Sequence, residues 1–293
     1  MKKYLSILSL FLLIFSLYSK DNSKTSKQPT FSWGEGGPRY VQYLTITGKT
    51  GFITTPSAFC APMGTLAPGF EFTFSTRSPY ALASILKLTF TPHHMVEFGI
   101  SKELAYTDEP SGPSNFYFDS TPFFLHYKIR FLNWGTGAVA FGQDFDILPA
   151  YNEGGQSRGY MSTTVYFVFT GVTTLIGSFN FGFGKTFYFT RVPDMLVNFF
   201  ASWVYSFAQL DDRLQLVLDF SNADYRAGED RFKVANENRA YLNFQVRGVV
   251  VKTPKFQWTL MFSLYDIFDL EGTAPTYVSI NASLGTSFHI NLY

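Results

Sequence analysis

The segment from Val278 to Leu292 alternates between apolar and polar residues, and no other feature constrains the fold of this chain more strongly. One phase is polar (Ser279, Asn281, Ser283, Ser287, His289 and Asn291), and the other is apolar (Val278, Ile280, Ala282, Leu284, Phe288, Ile290 and Leu292). A period of two places the two sets on opposite faces of a β-strand. Fifteen residues exceed an ordinary globular strand and suit a tilted strand that crosses a bilayer and extends beyond it.

Eleven further segments between residues 69 and 264 indicate strands, although the phase is ambiguous at 165–169 and at 195–207. Their connections alternate in length. Tight links lie at 92–93, 133–135, 171, 209–211 and 252–254, and longer polar links at 102–119, 148–159, 185–193, 222–238 and 267–275. Outer-membrane barrels combine short periplasmic turns with longer outer loops. The sequence therefore predicts an all-β fold, a transmembrane antiparallel up-and-down β-barrel of 12 strands with both termini in the periplasm.

The N-terminus predicts the compartment. Lys2 and Lys3 precede an apolar stretch over 4–17, and small residues follow at Ser16 and Ser19. This is the pattern of a secretory signal peptide over 1–19, with an uncleaved N-terminal anchor as the alternative. We expect the mature protein in the bacterial outer membrane, with barrel-assembly machinery and outer-membrane lipid as partners.

Two regions follow the signal peptide. Residues 69–293 form the predicted barrel, and residues 20–68 form a periplasmic leader rich in Lys, Ser, Gly and Pro toward its start. Part of this leader, 40–53, either adds a strand pair to give 14 strands, plugs the lumen or lies in the periplasm. Its Cys60 is the only cysteine of the chain, so it makes no intramolecular disulfide, and its neighbours supply no metal-ligand spacing.

Composition agrees with a barrel. Only 15% of the residues are charged, whereas 19% are aromatic and 34 are Phe. A membrane barrel places aromatic side chains on its lipid face and in its interfacial girdles. A net charge of +1 argues against a nucleic-acid partner, which requires a basic surface.

The charged residues of the strands fall on the polar phase, which we assign to the lumen. The predicted pore-lining residues are Lys87, Glu97, His126, Lys128, Arg130, Asp144, Asp146, Arg213, Asp219 and Arg247. A basic side chain facing lipid near the midplane costs roughly 2–4 kcal/mol, which explains this sorting. The set is either an internal salt-bridged network or the lining of a water-filled pore. Five basic residues against four acids predict a slight preference for anions.

One segment before the barrel resembles a known family. It runs Gly48-Lys49-Thr50-Gly51-Phe52-Ile53-Thr54-Thr55-Pro56-Ser57-Ala58 and is followed by Gly64 and the strand over 70–74. It is similar to the opening of YjbH-like outer-membrane proteins, in which the position of Phe52 is aliphatic. The resemblance implies an outer-membrane barrel associated with exopolysaccharide production.

No catalytic pattern emerges, and we expect a protein that is not an enzyme and that requires neither cofactor nor metal. A Ser-His-Asn site on the outer wall needs three groups that face lipid. The nearest match is Ser287, His289 and Asn291, and their phase places them in the lumen. His93 and His94 lie in a tight turn without a third ligand nearby.

The sequence favours a passive channel for small solutes or oligosaccharides. One alternative is a surface-binding or adhesive barrel that acts through its outer loops, chiefly 102–119 and 222–238. Another is an accessory protein of exopolysaccharide secretion, which the resemblance implies.

Overall fold

The fold is given by a computed structural model, which describes residues 43–45, 47–75, 80–108, 115–117, 123–134, 136–153, 156–173, 177–188, 197–207, 210, 212–222, 241–265, 267 and 281–292. The predicted signal peptide over 1–19, most of the leader and Tyr293 lie outside these residues. Within them, no helix is long and apolar enough to cross a membrane.

The described residues form thirteen strands in one antiparallel sheet. These are β1 (Thr65–Ser75), β2 (Tyr80–His93), β3 (Val96–Asp108), β4 (Asn115–Tyr117), β5 (Phe123–Asn133), β6 (Gly137–Glu153), β7 (Gln156–Thr173), β8 (Gly177–Tyr188), β9 (Val197–Ser206), β10 (Leu214–Ser221), β11 (Tyr241–Lys252), β12 (Phe256–Tyr265) and β13 (Asn281–Asn291). Each strand pairs with its neighbours in sequence, except that β3 pairs with β5 and that the short β4 pairs with β3 alone.

Pairing between β1 and β13 closes the sheet into a ring of twelve strands. The register of this seam runs from Thr65 opposite Asn291 to Ser75 opposite Asn281. Closure satisfies backbone groups that an open sheet edge would leave without partners in hydrocarbon. The predicted 12-stranded antiparallel barrel is confirmed.

The distribution of side chains over the two faces of the wall is the reverse of that in a soluble protein, because apolar residues lie outside and polar residues lie inside. Large apolar side chains are exposed on the outside, among them Leu284 at 57% and Phe181 at 55%. Polar and charged side chains of the alternate phase are buried inside, among them Asp219 at 0% and Arg247 at 1%. Apolar surface outside and polar surface inside is the arrangement of an outer-membrane barrel, because lipid contacts the outer face.

Several strand ends differ from the prediction. β1 begins at Thr65 rather than at Gly69. The predicted outer link over 148–159 is mostly strand, because β6 continues to Glu153 and β7 begins at Gln156. Likewise β3 extends to Asp108, and β4 lies inside the predicted link over 102–119. Backbone pairing continues beyond the apolar band, where alternation no longer marks a strand.

The lipid face can be tested with a charge near the middle of a strand. Phe183 of β8 is 52% exposed on the outer face, and Arg at this position is expected to destabilise the barrel by about 2–4 kcal/mol. The matched control is Leu292→Arg, just past the end of β13, where the cost near the interface falls to about 0–1 kcal/mol. Urea unfolding in lipid vesicles measures both. Equal costs at the two positions would contradict the assignment of the lipid face.

Candidate functional site

Residues 43–45 and 47–62, which we call the plug, lie inside the barrel. Tyr43, Leu44, Phe52 and Phe59 are each at most 1% exposed, although none of them belongs to the wall. The plug bonds to lumenal side chains of nine wall strands, from Lys87 of β2 round to Arg247 of β11. Of the three alternatives for the leader, the structure therefore shows the lumenal plug. Its own pairings are isolated bridges, and it adds no strand to the wall in the described residues.

The plug folds back on itself twice. In its first turn the N–H of Gly48 donates to Thr45 O at 2.9 Å, and the N–H of Thr45 donates to Lys49 O at 2.7 Å. Gly48 has a φ of 92°, a backbone conformation that residues with a Cβ rarely adopt. In the second turn the N–H of Phe52 donates to Thr55 O at 2.9 Å.

Gly51 joins the two turns at a point of close approach. A Cβ on this residue would lie 2.3 Å from Thr55 O and 2.9 Å from the Cα of Pro56. The contacts are with backbone, which cannot swing aside as a flexible side chain does. The plug conformation therefore depends on glycine at this position.

Glu97 and Lys128 of the wall hold Thr50 of the plug from both sides. Glu97 Oε1 accepts from the backbone N–H of Thr50 at 2.9 Å, and its second oxygen accepts from the Thr50 hydroxyl. Lys128 Nζ donates to Thr50 O at 3.1 Å and to Phe59 O at 2.9 Å. The two charges also pair with each other, with Nζ 3.3 Å from Oε1. This ion pair is fully buried and binds plug backbone as well as its own partner.

Asp219 receives the second turn of the plug. Its Oδ2 accepts from the backbone N–H groups of Ile53 at 3.1 Å, Thr54 at 2.6 Å and Thr55 at 3.3 Å, and from the Thr54 hydroxyl at 3.0 Å. Its Oδ1 accepts from Ser202 Oγ of β9 at 3.0 Å. A turn that directs several N–H groups to one point favours an anion there, and the wall supplies a carboxylate.

Donors from the wall receive the first turn. Lys87 Nζ donates to Thr45 O at 2.9 Å and is paired with Glu71 of β1. Ser101 Oγ donates to Thr47 O at 2.9 Å, and Thr89 Oγ1 donates to Gly48 O. The carbonyls that point away from the turn thus accept hydrogen bonds from lumenal donors. Without these donors the buried carbonyls would be unpaired, which is costly.

Arg247 and two apolar clusters fix the rest of the plug. The Arg247 guanidinium lies 4.3 Å from the ring centre of Tyr43, and its Nη2 donates to Gly51 O at 3.4 Å. Tyr43 also packs in a cluster with Val249 and Met261. In a second cluster, the plug residues Phe52 and Ile53 pack against wall residues, namely Val204, Val217 and Tyr265.

The plug also carries a cation of its own. Lys49 Nζ pairs with Asp144 of β6 and lies 5.5 Å from the ring centre of Tyr166 of β7. The Lys49 side chain is 7% exposed. Ion pair and ring face together hold an ammonium group against the wall.

The structure places the predicted pore-lining residues as follows. Lys87, Glu97, His126, Lys128, Arg130, Asp219 and Arg247 are buried on the lumenal face. Asp144 and Asp146 are partly buried on the same face. Arg213 departs from the set, because it precedes β10 and is exposed.

Four buried charged residues are missing from the predicted set, one of which is Asp212 in the turn before β10. Glu71 and Glu103 continue the polar phase of β1 and β3, so the alternation rule would have found both. Lys49 lies in the plug and has no strand phase to reveal it. Among described side chains, the wall therefore holds six lumenal carboxylates and four basic groups, the reverse of the predicted balance.

Of the residues considered for chemistry, Ser287 and His289 lie inside the barrel, whereas His93 and His94 are exposed at the turn between β2 and β3. Ser287 and His289 are at most 1% exposed on the lumenal face of β13, as their phase predicted, and Ser287 bonds to Thr259 at 2.6 Å. No group of three or more potential metal ligands occurs in the part of the chain that the structure describes. The expectation that the protein is not an enzyme stays a prediction.

Cys60 reports on the position of the plug. Its side chain is 2% exposed, and burial raises the pKa of the thiol to about 11. Both effects slow its reaction with an alkylating reagent, because the thiolate is the nucleophile and must be accessible.

No family model matches the chain, and no curated protein matches it in sequence. Among solved structures, it is similar to an outer membrane channel from Pseudomonas putida F1 (9% identity, TM-score 0.49, covering 81% of this chain and 100% of that one). It is also similar to the translocator domain of the autotransporter NalP from Neisseria meningitidis, with 8% identity and a TM-score of 0.47, covering 78% of this chain and 88% of that one. A third similar structure is the KdgM porin, with 8% identity and a TM-score of 0.41, covering 75% of this chain and 98% of that one. At these identities the similarity concerns the barrel fold alone.

The Asp219 contact gives a direct test of how the plug is held. Asp219→Ala leaves the donors of the second turn without their acceptor, at a cost of about 1–3 kcal/mol. We expect maleimide labelling of Cys60 in the folded protein to become about tenfold faster or more. The matched control is Ser287→Ala, which removes a buried hydroxyl that bonds only within the wall. An unchanged labelling rate in Asp219→Ala would contradict the assigned role of this carboxylate.

Proposed function

We propose that this protein is an outer-membrane channel for small polar solutes, including short oligosaccharides, that the plug holds closed and that conducts when the plug leaves the lumen. The observation that carries this proposal is the plug, a segment of the chain that the wall encloses. Both earlier interpretations of the charged lining contribute, because the charges form ion pairs and line the space that the plug occupies.

The width of the barrel supports a conduit. Eight strands enclose a space that wall side chains fill, whereas sixteen leave an aqueous channel. Twelve strands lie between these limits. In this barrel the plug occupies space in the lumen that the wall side chains leave unfilled. Removal of the plug would empty the part of the lumen that its backbone and side chains fill.

The chemistry of the contacts supports a plug that can leave. Hydrogen bonds and ion pairs dominate them, at Glu97, Lys128, Asp219 and Lys87 among others. Water replaces such partners at a net cost of about 0.5–1.5 kcal/mol per hydrogen bond. The uncovered wall would be largely polar and suited to hydration, because the wall side chains that bond to the plug are charged or carry hydroxyl groups, beside apolar clusters such as those around Tyr43 and Phe52.

A second candidate function is surface binding through the outer loops. It is favoured by the β6–β7 hairpin, whose strands of 17 and 18 residues are the longest of the described barrel. Strands of about 9–11 residues suffice to cross a bilayer, so this hairpin extends beyond the membrane. Participation in exopolysaccharide secretion rests on the sequence resemblance alone.

Gly51→Ala tests the channel proposal in the full-length protein. The added Cβ would collide with the backbone of Thr55 and Pro56, so the plug loses its conformation while the wall keeps its sequence. We expect few current steps for the wild type in planar lipid bilayers and frequent, larger steps for Gly51→Ala. Cys60 labelling in the same preparation reports whether the plug has moved.

The matched control is Gly248→Ala in β11, where a Cβ would meet nothing within 4 Å. It is expected to behave as the wild type in both measurements. If Cys60 becomes reactive in Gly51→Ala without an increase in conductance, the channel proposal fails. The surface-binding function would then be tested by deleting residues 222–238 and measuring adhesion.

A further inference from the structure

We propose that Asp144 and Tyr166 form a lumenal cation site that the plug residue Lys49 occupies in the closed state. We further propose that the opened lumen therefore selects small cations, including primary ammonium compounds, over anions. The second statement rests on the channel proposal, whereas the first concerns the closed protein.

The site has the parts that an ammonium group requires. Asp144 pairs with Lys49 through Oδ2, while its buried Oδ1 has no hydrogen-bond partner among the described residues. The Tyr166 ring offers its face at 5.5 Å from Nζ. A carboxylate combined with an aromatic face attracts a cation through charge and through the ring quadrupole.

The wall is shaped to present this ring. Gly142 is the register partner of Tyr166, and a Cβ on Gly142 would lie 2.2 Å from the Cζ of the ring. The ring can therefore lie along the wall in the row of lumenal residues that also contains Asp144. Tyr166 is 2% exposed, and its hydroxyl has no hydrogen-bond partner in the described residues. No contact of this hydroxyl would be lost if another cation replaced Lys49.

Departure of the plug takes carbonyl partners from Lys87, Lys128 and Arg247, but the ion pairs of the two lysines stay within the wall. Lys87 keeps Glu71 and Lys128 keeps Glu97, because both partners belong to the wall. Asp144 loses the Lys49 ammonium, and Asp219 loses the N–H groups of three plug residues. Two carboxylates thus become available to solutes.

The balance of acidic and basic side chains on the lumenal face also favours cations. Six lumenal carboxylates face four basic side chains in the described wall, so these ten side chains together carry an excess of two negative charges. Charge of one sign within a low-dielectric wall concentrates ions of the opposite sign. The inferred sign is opposite to the slight anion preference that the sequence predicted, because Arg213 is exposed before β10 while Glu71 and Glu103 are buried on the lumenal face.

The site itself can be tested in the closed full-length protein by chemical rescue. Lys49→Ala removes the side chain beyond Cβ, which leaves a space with the shape of n-propylammonium. We expect millimolar propylammonium to raise the Tm of Lys49→Ala, and equimolar propionate to have no such effect. The rise should disappear in Lys49→Ala/Asp144→Asn. A variant that ignores propylammonium, or responds equally to both ions, would overturn the site.

Selectivity is tested in the opened channel. In a KCl gradient, Gly51→Ala should show a reversal potential that favours K⁺, and adding Asp144→Asn should lower the K⁺ to Cl⁻ permeability ratio about threefold or more. The control is Asp212→Asn in the same background. Asp212 lies in the turn before β10 with a φ of 57°, which Asn also adopts readily, so no change is expected.

The outcomes separate the two proposals. Conduction that favours Cl⁻ would overturn the selectivity inference and leave the channel proposal intact. Rescue by propylammonium without any conduction of Gly51→Ala would support the site and reject the channel.

Discussion

The structure depends on one requirement, that every polar backbone group enclosed by the barrel finds a partner. The wall meets this requirement by closing on itself through β1 and β13. The plug cannot do so, because its two tight turns leave carbonyls and N–H groups directed outward. The lumenal side chains supply what is missing, and their charges follow from this demand. Lys87 and Lys128 meet carbonyls, whereas Glu97 and Asp219 meet N–H groups.

This requirement explains why charged residues are buried here without an apolar core around them. A buried ion pair gains little when its desolvation is counted, and it is tolerated when further hydrogen bonds satisfy the remaining atoms. The Glu97–Lys128 pair has such bonds, and all of them go to Thr50 and Phe59 of the plug. Wall and plug therefore stabilise each other through these bonds, in addition to the apolar clusters of Tyr43 and Phe52.

The wall was predictable from the sequence, because a period of two and the sign of each face follow from pairing and from lipid. The same rule assigns Glu71 and Glu103 to the lumen, because both continue the polar phase of their strands, β1 and β3. Arg213 shows the limit of the rule, since phase has no meaning for a residue that precedes the first paired position of β10. The plug had no comparable signal. Its stretch Gly48–Ala58 has no period, and its conformation depends on contacts with nine different strands.

The location of the plug in the chain has a consequence for biogenesis. The plug leads within a few residues into β1, and β1 forms the seam with the last strand, β13. The two seam strands come from opposite ends of the described chain, so the ring closes only when all the strands between them have paired. Until the seam forms, the sheet is an open trough with the plug attached to its first edge. Enclosure is then simplest while the trough is open, because a completed ring would have to admit a folded segment through its end. The order of strands thus makes the plug the object around which the wall is wrapped.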